Sequence, residues 1–276
     1  MCFCCQRTVK KLVYRHLPGS TSLIRQPSQL ISMDPVLAEI RQELKDSADP
    51  QTQKNFPRFF KEEVKHYGVK VPTVRKIAQK YWKQIKSRDK REIFGLCEEL
   101  YRSNYIEEAF VVSCWVPQLK DRFMPGDFVV FRRWIATYIT NWATCDGFCN
   151  HSMGDFLEKY PEFIQELKHW TGSANRWVRR AAAVSLIIPA KQGKYLEDVI
   201  GIADMLLTDD DDMVQKGYGW LLKEASRKHT DRVFAYIMKN KKIMPRTALR
   251  YAIELMPKDL KAEAMKKGGK INRSSS

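Results

Sequence analysis

The sequence predicts an all-α fold, a curved solenoid of about ten to twelve stacked helices. Three observations carry this. Apolar residues recur at helical spacing from residue 34 to about residue 255. Short polar, glycine- or proline-containing breaks punctuate the pattern. No segment sustains the period-two alternation of a half-buried strand.

The first helix is written in DPVLAEIRQEL. Asp34 is placed to cap it, Pro35 suits its first position, and apolar residues fall at 36, 37, 40 and 44. Further helical segments follow at about 73–85, 88–102, 105–116, 127–141, 147–159, 161–170, 176–188, 195–207, 212–227, 230–240 and 245–255. The breaks between them read YGVKVP, RFMPGD, KYP, TGSAN, AKQGK, TDDDD, KH and MPR. The run Asp209–Asp212 stands at a helix start, where the helix dipole favours acid.

Many short helices joined by short loops call for a search for repeats. YIEEAFVVSC begins at 105, WVRRAAAVSL at 177 and MVQKGYGWLL at 213. The last two lie 36 residues apart and the first lies 72 before the second. Each carries a small residue at its fifth place, Ala109, Ala181 or Gly217, where neighbouring helices can approach closely. WVRRAAAVSL, after the turn TGSAN, resembles the second helix of a HEAT repeat. One more step of 36 back from 177 reaches NWATCDGFCN, and that frame puts Asp146 where Ala182 sits, on the wrong side of a helix from Arg180 and Trp220. Either residues 141–146 form a loop, with Asp146 near the start of the next helix, or one residue has slipped in the repeat, and the loop is the expectation taken here. On residue type alone Asp146 is open between a helix cap and a catalytic carboxylate.

The chain has 276 residues, 44% hydrophobic and 29% charged, a composition suited to one large globular domain or two small ones. No apolar run approaches the roughly 18 residues of a membrane helix. The formal charge of +16 points to a polyanionic partner such as nucleic acid. Residues 1–33 contribute +5 without a single acid and residues 261–276 contribute +4, which leaves a body of +7. The expected organisation is a basic N-terminal extension at 1–33, a helical domain at 34–260 and a flexible basic tail at 261–276. The extension could serve mitochondrial targeting or palmitoyl anchoring, or precede an alternative start at Met33. An intracellular setting, nucleus or cytoplasm, is expected otherwise. Seven irregularly spaced cysteines do not form a disulfide framework, and Cys145, Cys149 and His151 lack a second ligand pair at zinc-finger spacing. No metal and no cofactor are expected.

Five segments together resemble the AlkD-like DNA alkylation repair proteins, DNA glycosylases built of HEAT-like repeats. They are YGVKVPTVRK at 67–76, WATCD at 142–146, GDFLEKYPE at 154–162, RWVRRAA at 176–182 and GWLLKE at 219–224. The resemblance runs from about residue 34 to 257. It implies that Asp146 is the catalytic carboxylate, with Trp142 four residues before it and Trp220 as the aromatic wall beside it. It also implies that Arg180 holds DNA, with Arg179, Lys216, Lys223 and Arg75 as further candidates for phosphate contacts. The partner implied is double-stranded DNA containing alkylated bases, bound by a monomer on a concave basic face, without swinging the base into a deep pocket. The residues between Trp142 and Asp146 are less polar than in the bacterial pattern, which bears on lesion preference more than on activity.

Overall fold

Capping side chains start the helices where the sequence places them. The carboxylate of Asp34 accepts from Val36 N at 3.0 Å, and Asp89, Asn175 and Asp211 do the same for their own helices. The computed structural model describes residues 34–266. The 1–33 extension, with its targeting, anchoring and alternative-start expectations, lies outside the described residues, as do residues 267–276 of the tail.

The elements in order are α1 (Pro35–Asp46), α2 (Pro50–Asn55), α3 (Val71–Ile85), α4 (Lys90–Arg102), α5 (Ile106–Trp115), α6 (Asp127–Tyr138), α7 (Trp142–Phe148) and α8 (Gly154–Lys159). Then come α9 (Ile164–Trp170), α10 (Arg176–Val184), α11 (Ile187–Lys191), α12 (Leu196–Met205), α13 (Asp212–Asn240), α14 (Arg246–Ala252) and α15 (Lys258–Met265). The all-α solenoid expected from the sequence is what the chain forms. Among the described residues the extended backbone amounts to one isolated bridge, Lys65 to Tyr105. None of the described helices is long and apolar enough to cross a membrane.

Three boundaries differ from the sequence reading. Residues 142–148 are helical rather than a loop, and a π-helical turn at Cys149–Met153 carries that helix on into α8. The two helices expected at 212–227 and 230–240 run together as α13, kinked at His229 (φ −134°, ψ 46°), whose ring meets Gly193 O at 3.0 Å. Helical structure also continues past residue 260. Helix α15 extends to Met265 and buries Ala264, so residues 261–266 belong to the fold rather than to a tail.

The core is aromatic, with Trp115, Phe123, Phe131, Trp134, Phe148 and Phe156 fully buried. Two carboxylates share that interior. Glu107 accepts the backbone N–H groups of Tyr67 at 3.0 Å, Gly68 at 2.8 Å and Val69 at 3.1 Å. Glu108 accepts from the Tyr67 hydroxyl at 2.7 Å and from Arg41 Nε at 3.0 Å. The YGVKVP break is thus a loop folded around a buried carboxylate. Gly68 sits at φ +86°, and a Cβ there would stand 2.1 Å from Gln53 Cγ, so both backbone angle and space demand glycine.

Helices α3, α5, α7, α10, α13 and α14 pack successively, each against the next. The fifth residues of these six helices are Arg75, Phe110, Asp146, Arg180, Lys216 and Arg250. The first five fall in one row along the stack, Arg75 and Phe110 lining one cavity and Asp146, Arg180 and Lys216 the neighbouring cleft. Two glycines let the stack close up. At Gly217 a Cβ would lie 3.3 Å from Arg180 Cγ, and at Gly219 it would meet Ala248 O and Tyr251 Cβ, both at 2.8 Å. Gly219 therefore brings α14 against α13.

Candidate active site

Asp146 does not cap a helix. Asn141 takes that role, its Oδ1 accepting from Thr144 N at 3.0 Å. This frees Asp146, one turn further on, to face α10. There Arg180 donates to both carboxylate oxygens, Nε to Oδ1 at 2.9 Å and Nη2 to Oδ2 at 2.8 Å, while its third nitrogen donates to Met213 O. Arg180 is buried, with 6% of its side chain exposed, whereas 15% of the Asp146 side chain remains open. A bidentate arginine occupies two of the roughly four lone-pair directions of a carboxylate. The others are left toward the open side.

That open side is a cleft of about 410 Å³ lined by Phe59, Trp142, Asp146, Arg180, Met213, Lys216, Trp220 and Tyr251. The structure therefore brings Trp142, Asp146, Arg180, Lys216 and Trp220 together, as the sequence expected. Trp142 is fixed from the N-terminal side, since its indole N–H donates to Phe59 O at 3.1 Å and its ring stacks on Phe60 at 5.6 Å. Trp220 donates to Glu224 Oε1 at 3.3 Å. Burial pushes the Asp146 carboxyl above the usual aspartate range, with the Arg180 charge and its hydrogen bonds pulling the other way. For Arg180 burial works against the charge, and Asp146 more than offsets it.

The remaining candidates stand differently from their expected role. Arg180 is engaged by Asp146 and Met213 rather than presented to a phosphate. Arg179 is committed to Asp209, at 2.7 Å, and to the carbonyls of Ser173 and Ala174, so it ties the TGSAN turn to the start of α13. Lys216 pairs with Asp212 at 3.1 Å and Lys223 with Glu254 at 3.2 Å. Arg75 lines a neighbouring cavity of about 510 Å³ on the other side of Trp142, together with Phe110, Cys114 and His151. The Asp209–Asp212 run serves as cap and ion-pair partner, since Arg176 binds both Asp211 and Glu62, and Lys61 binds Asp212 at 2.7 Å. The two cations that line the cleft, Arg180 and Lys216, are thus paired with the protein's own acids.

Phe59, Met213 and Tyr251 were not singled out from the sequence. Phe59 belongs to the aromatic cluster NFPRFF before the YGV loop, a signal available in retrospect. Tyr251 is brought in by the close approach at Gly219, which has no local signature. Burial raises the Cys145 thiol well above its usual range, which disfavours the thiolate a metal would need. Among the described residues no three His, Cys, Asp or Glu side chains are gathered to hold a metal ion.

The family model described as DNA alkylation repair enzyme matches residues 40–256. No curated protein sequence matches the chain. Among solved structures it is similar to a predicted DNA alkylation repair enzyme from Enterococcus faecalis, with a TM-score of 0.69 at 17% identity, covering 77% of this chain and 98% of that one. It is also similar to AlkD2 from Streptococcus mutans, with a TM-score of 0.55 at 19% identity over 80% of this chain and 97% of that one. A third likeness is to smu.31 of Streptococcus mutans UA159, with a TM-score of 0.53 at 20% identity over 83% and 98%. At such identities the structural likenesses speak for the fold, and the family match, which spans well over half of the sequence, speaks for kinship. The chain belongs to the DNA alkylation repair enzyme family and has its AlkD-like helical-repeat fold.

Proposed function

We propose that this protein is a metal-independent DNA glycosylase that removes cationic alkylpurines, such as 3-methyladenine and 7-methylguanine, from duplex DNA and leaves an abasic site. The observation that carries the reading is the Asp146 carboxylate, held by Arg180 and open to a cleft between Trp142 and Trp220. A purine alkylated at N3 or N7 already bears a positive charge, so it can leave without being protonated. The general acid of an ordinary glycosidase is then unnecessary, and one carboxylate suffices. The bond between sugar C1′ and the base nitrogen breaks, and its electron pair neutralises the departing base. Positive charge develops on the sugar, where Asp146 opposes it, and water adds to C1′ and passes a proton to the carboxylate or to solvent. The two indole faces attract the cationic base, each by about 0.5–2 kcal/mol. Arg180 is a positioning residue here. It orients the carboxylate and keeps it ionised.

Release of 7-methylguanine from methylated duplex by the purified protein tests the reading, and a folded protein that binds duplex without releasing base would replace it with a non-catalytic DNA-binding role. The ionised carboxylate is the working form, so release is expected to slow as pH falls through a pKa raised above the ordinary aspartate value of about 3.9. Arg180→Met removes the charge that pulls this pKa down. The acid limb of single-turnover release should then move to higher pH, with a lower rate at pH 7. A limb that stays in place would separate Arg180 from the chemistry.

A further inference from the structure

The row of fifth-position residues divides by charge state. Its middle members are self-neutralised, Asp146 with Arg180 and Lys216 with Asp212. The other cations near these on α10 and α13 are paired as well, Arg176 with Glu62 and Asp211, Arg179 with Asp209, and Lys223 with Glu254. Such a site suits a cationic base, because it offers the base no net repulsion. It is poorly suited to gripping phosphates, since each of these cations must first leave a carboxylate. The phosphate grip has to come from cations without acid partners.

Arg75, at the N-terminal end of the row, forms no ion pair among the described residues, and helix α14 with the turn before it carries a whole stripe of such cations beside the cleft. Arg250, the fifth residue of α14, is exposed and forms no ion pair among the described residues. Arg246 lies one turn earlier on the same face of the helix, and Lys242 falls four residues before that, in the turn that leads into α14. Both are exposed and neither meets a carboxylate among the described residues. The one polar contact of Arg246 is Met265 Sδ at 3.4 Å, a weak acceptor that leaves the guanidinium charge uncompensated. Tyr251, next to Arg250, is already a wall of the cleft. Arg246 lies about 7–8 Å along the helix from Tyr251. Ala248, Leu249 and Ala252 bury the opposite side of α14, which leaves Arg246, Arg250 and Tyr251 on its open side, so one bound duplex can touch the cleft and this stripe together.

We propose that Lys242, Arg246 and Arg250 form a phosphate anchor that holds the duplex to one side of the lesion cleft. The proposal rests on the reading of the cleft as a DNA-repair site and assigns the sequence-independent part of binding to residues outside it. The chain continues this basic character past α15 with Lys266, Lys267 and Lys270. Each phosphate contact releases counterions, so its loss is read as a change in the salt dependence of binding.

The test compares the full chain with Lys242→Gln/Arg246→Gln/Arg250→Gln and with a control of equal charge loss, Lys83→Gln/Lys86→Gln/Arg91→Gln, three exposed cations on α3, α4 and the turn between them. Duplex affinity is measured across a salt series, beside a thermal melt. The slope of log affinity against log salt should become shallower by about two to three in the first variant. The control should keep the native slope. A native slope in the first variant, or an equal loss in both, overturns the anchor while leaving the glycosylase reading untouched. Native protein that releases no base yet shows the expected slopes would overturn the glycosylase reading and leave the anchor standing. Native protein that does not bind duplex overturns both. A stripe variant that loses binding to phosphatidylserine vesicles but not to duplex would reassign the stripe to a lipid surface, and so overturn the proposal too.

Discussion

Asp146→Asn protein is expected to release 7-methylguanine at least about a hundredfold more slowly than the native chain, while still binding duplex DNA. Asparagine keeps the size of the side chain and removes its charge. In a partly dry cleft, loss of a preorganised group opposite a developing charge costs about 10²–10³ in rate, roughly 3–4 kcal/mol of barrier. The geometry adds a consequence for stability. Arg180 donates to both oxygens of Asp146, and the amide of asparagine can accept only one of those bonds and turns a donor toward the other. A buried guanidinium left half satisfied costs about 1–3 kcal/mol. The variant should therefore melt a few degrees lower and still fold. Single-turnover release from methylated duplex, run beside a melt and a binding titration, separates the two effects. Native release rates in the variant would remove Asp146 from the mechanism. Partial release of the most labile lesions is expected, since their leaving groups carry their own charge.

The second large effect lies far from the cleft. Glu107→Ala should lower stability by about 3–5 kcal/mol, the scale for stripping the partner from buried polar groups. Three backbone N–H groups, of Tyr67, Gly68 and Val69, would lose their acceptor at once, in a place closed to water. At roughly 2–4 °C per kcal/mol for a chain of this size, the melting temperature should fall by about 6–20 °C. Glu107→Gln keeps one acceptor oxygen and should fall between the native chain and the alanine variant. An alanine variant that melts like the native chain would mean that water or a backbone shift replaces the carboxylate. The loop also precedes α3, which carries Arg75, so its loosening should be felt along the row.

The sequence made the helices legible because their starts are written in short polar side chains and their faces in apolar spacing. It also showed the cleft's principal residues, through the five segments shared with a known family. The local geometry around Asp146 was harder to read. A frame of 36 residues pairs Asp146 with Ala182, yet the actual partner is Arg180, 34 residues away. The spacing returns to 36 between Arg180 and Lys216, so the repeat is not uniform. Helix α7 also hides its start, since Thr144, Asp146 and Gly147 are poor helix formers. Asn141 was the available sign. The pairing of Lys216 with Asp212 is a local one, four residues apart on α13. The ion pairing of Arg179 and Lys223 was not legible, because Asp209 and Glu254 lie 30 and 31 residues away in turns that only packing brings near.

Gly219 lies three residues from Lys216 in the cleft row and has no functional group, yet it sets a dimension of the cleft. Its missing methyl is what lets α14, and Tyr251 with it, sit so close to α13, since a Cβ there would collide with Tyr251 Cβ and Ala248 O at 2.8 Å. The wall opposite Asp146 is therefore mounted on an adjustable spacer, graded by the volume of one side chain. A step from hydrogen to methyl would displace α14 outward and widen the mouth without altering any charge. On the glycosylase reading proposed above, the width of the cleft and the carboxylate that does the chemistry are therefore set by different residues.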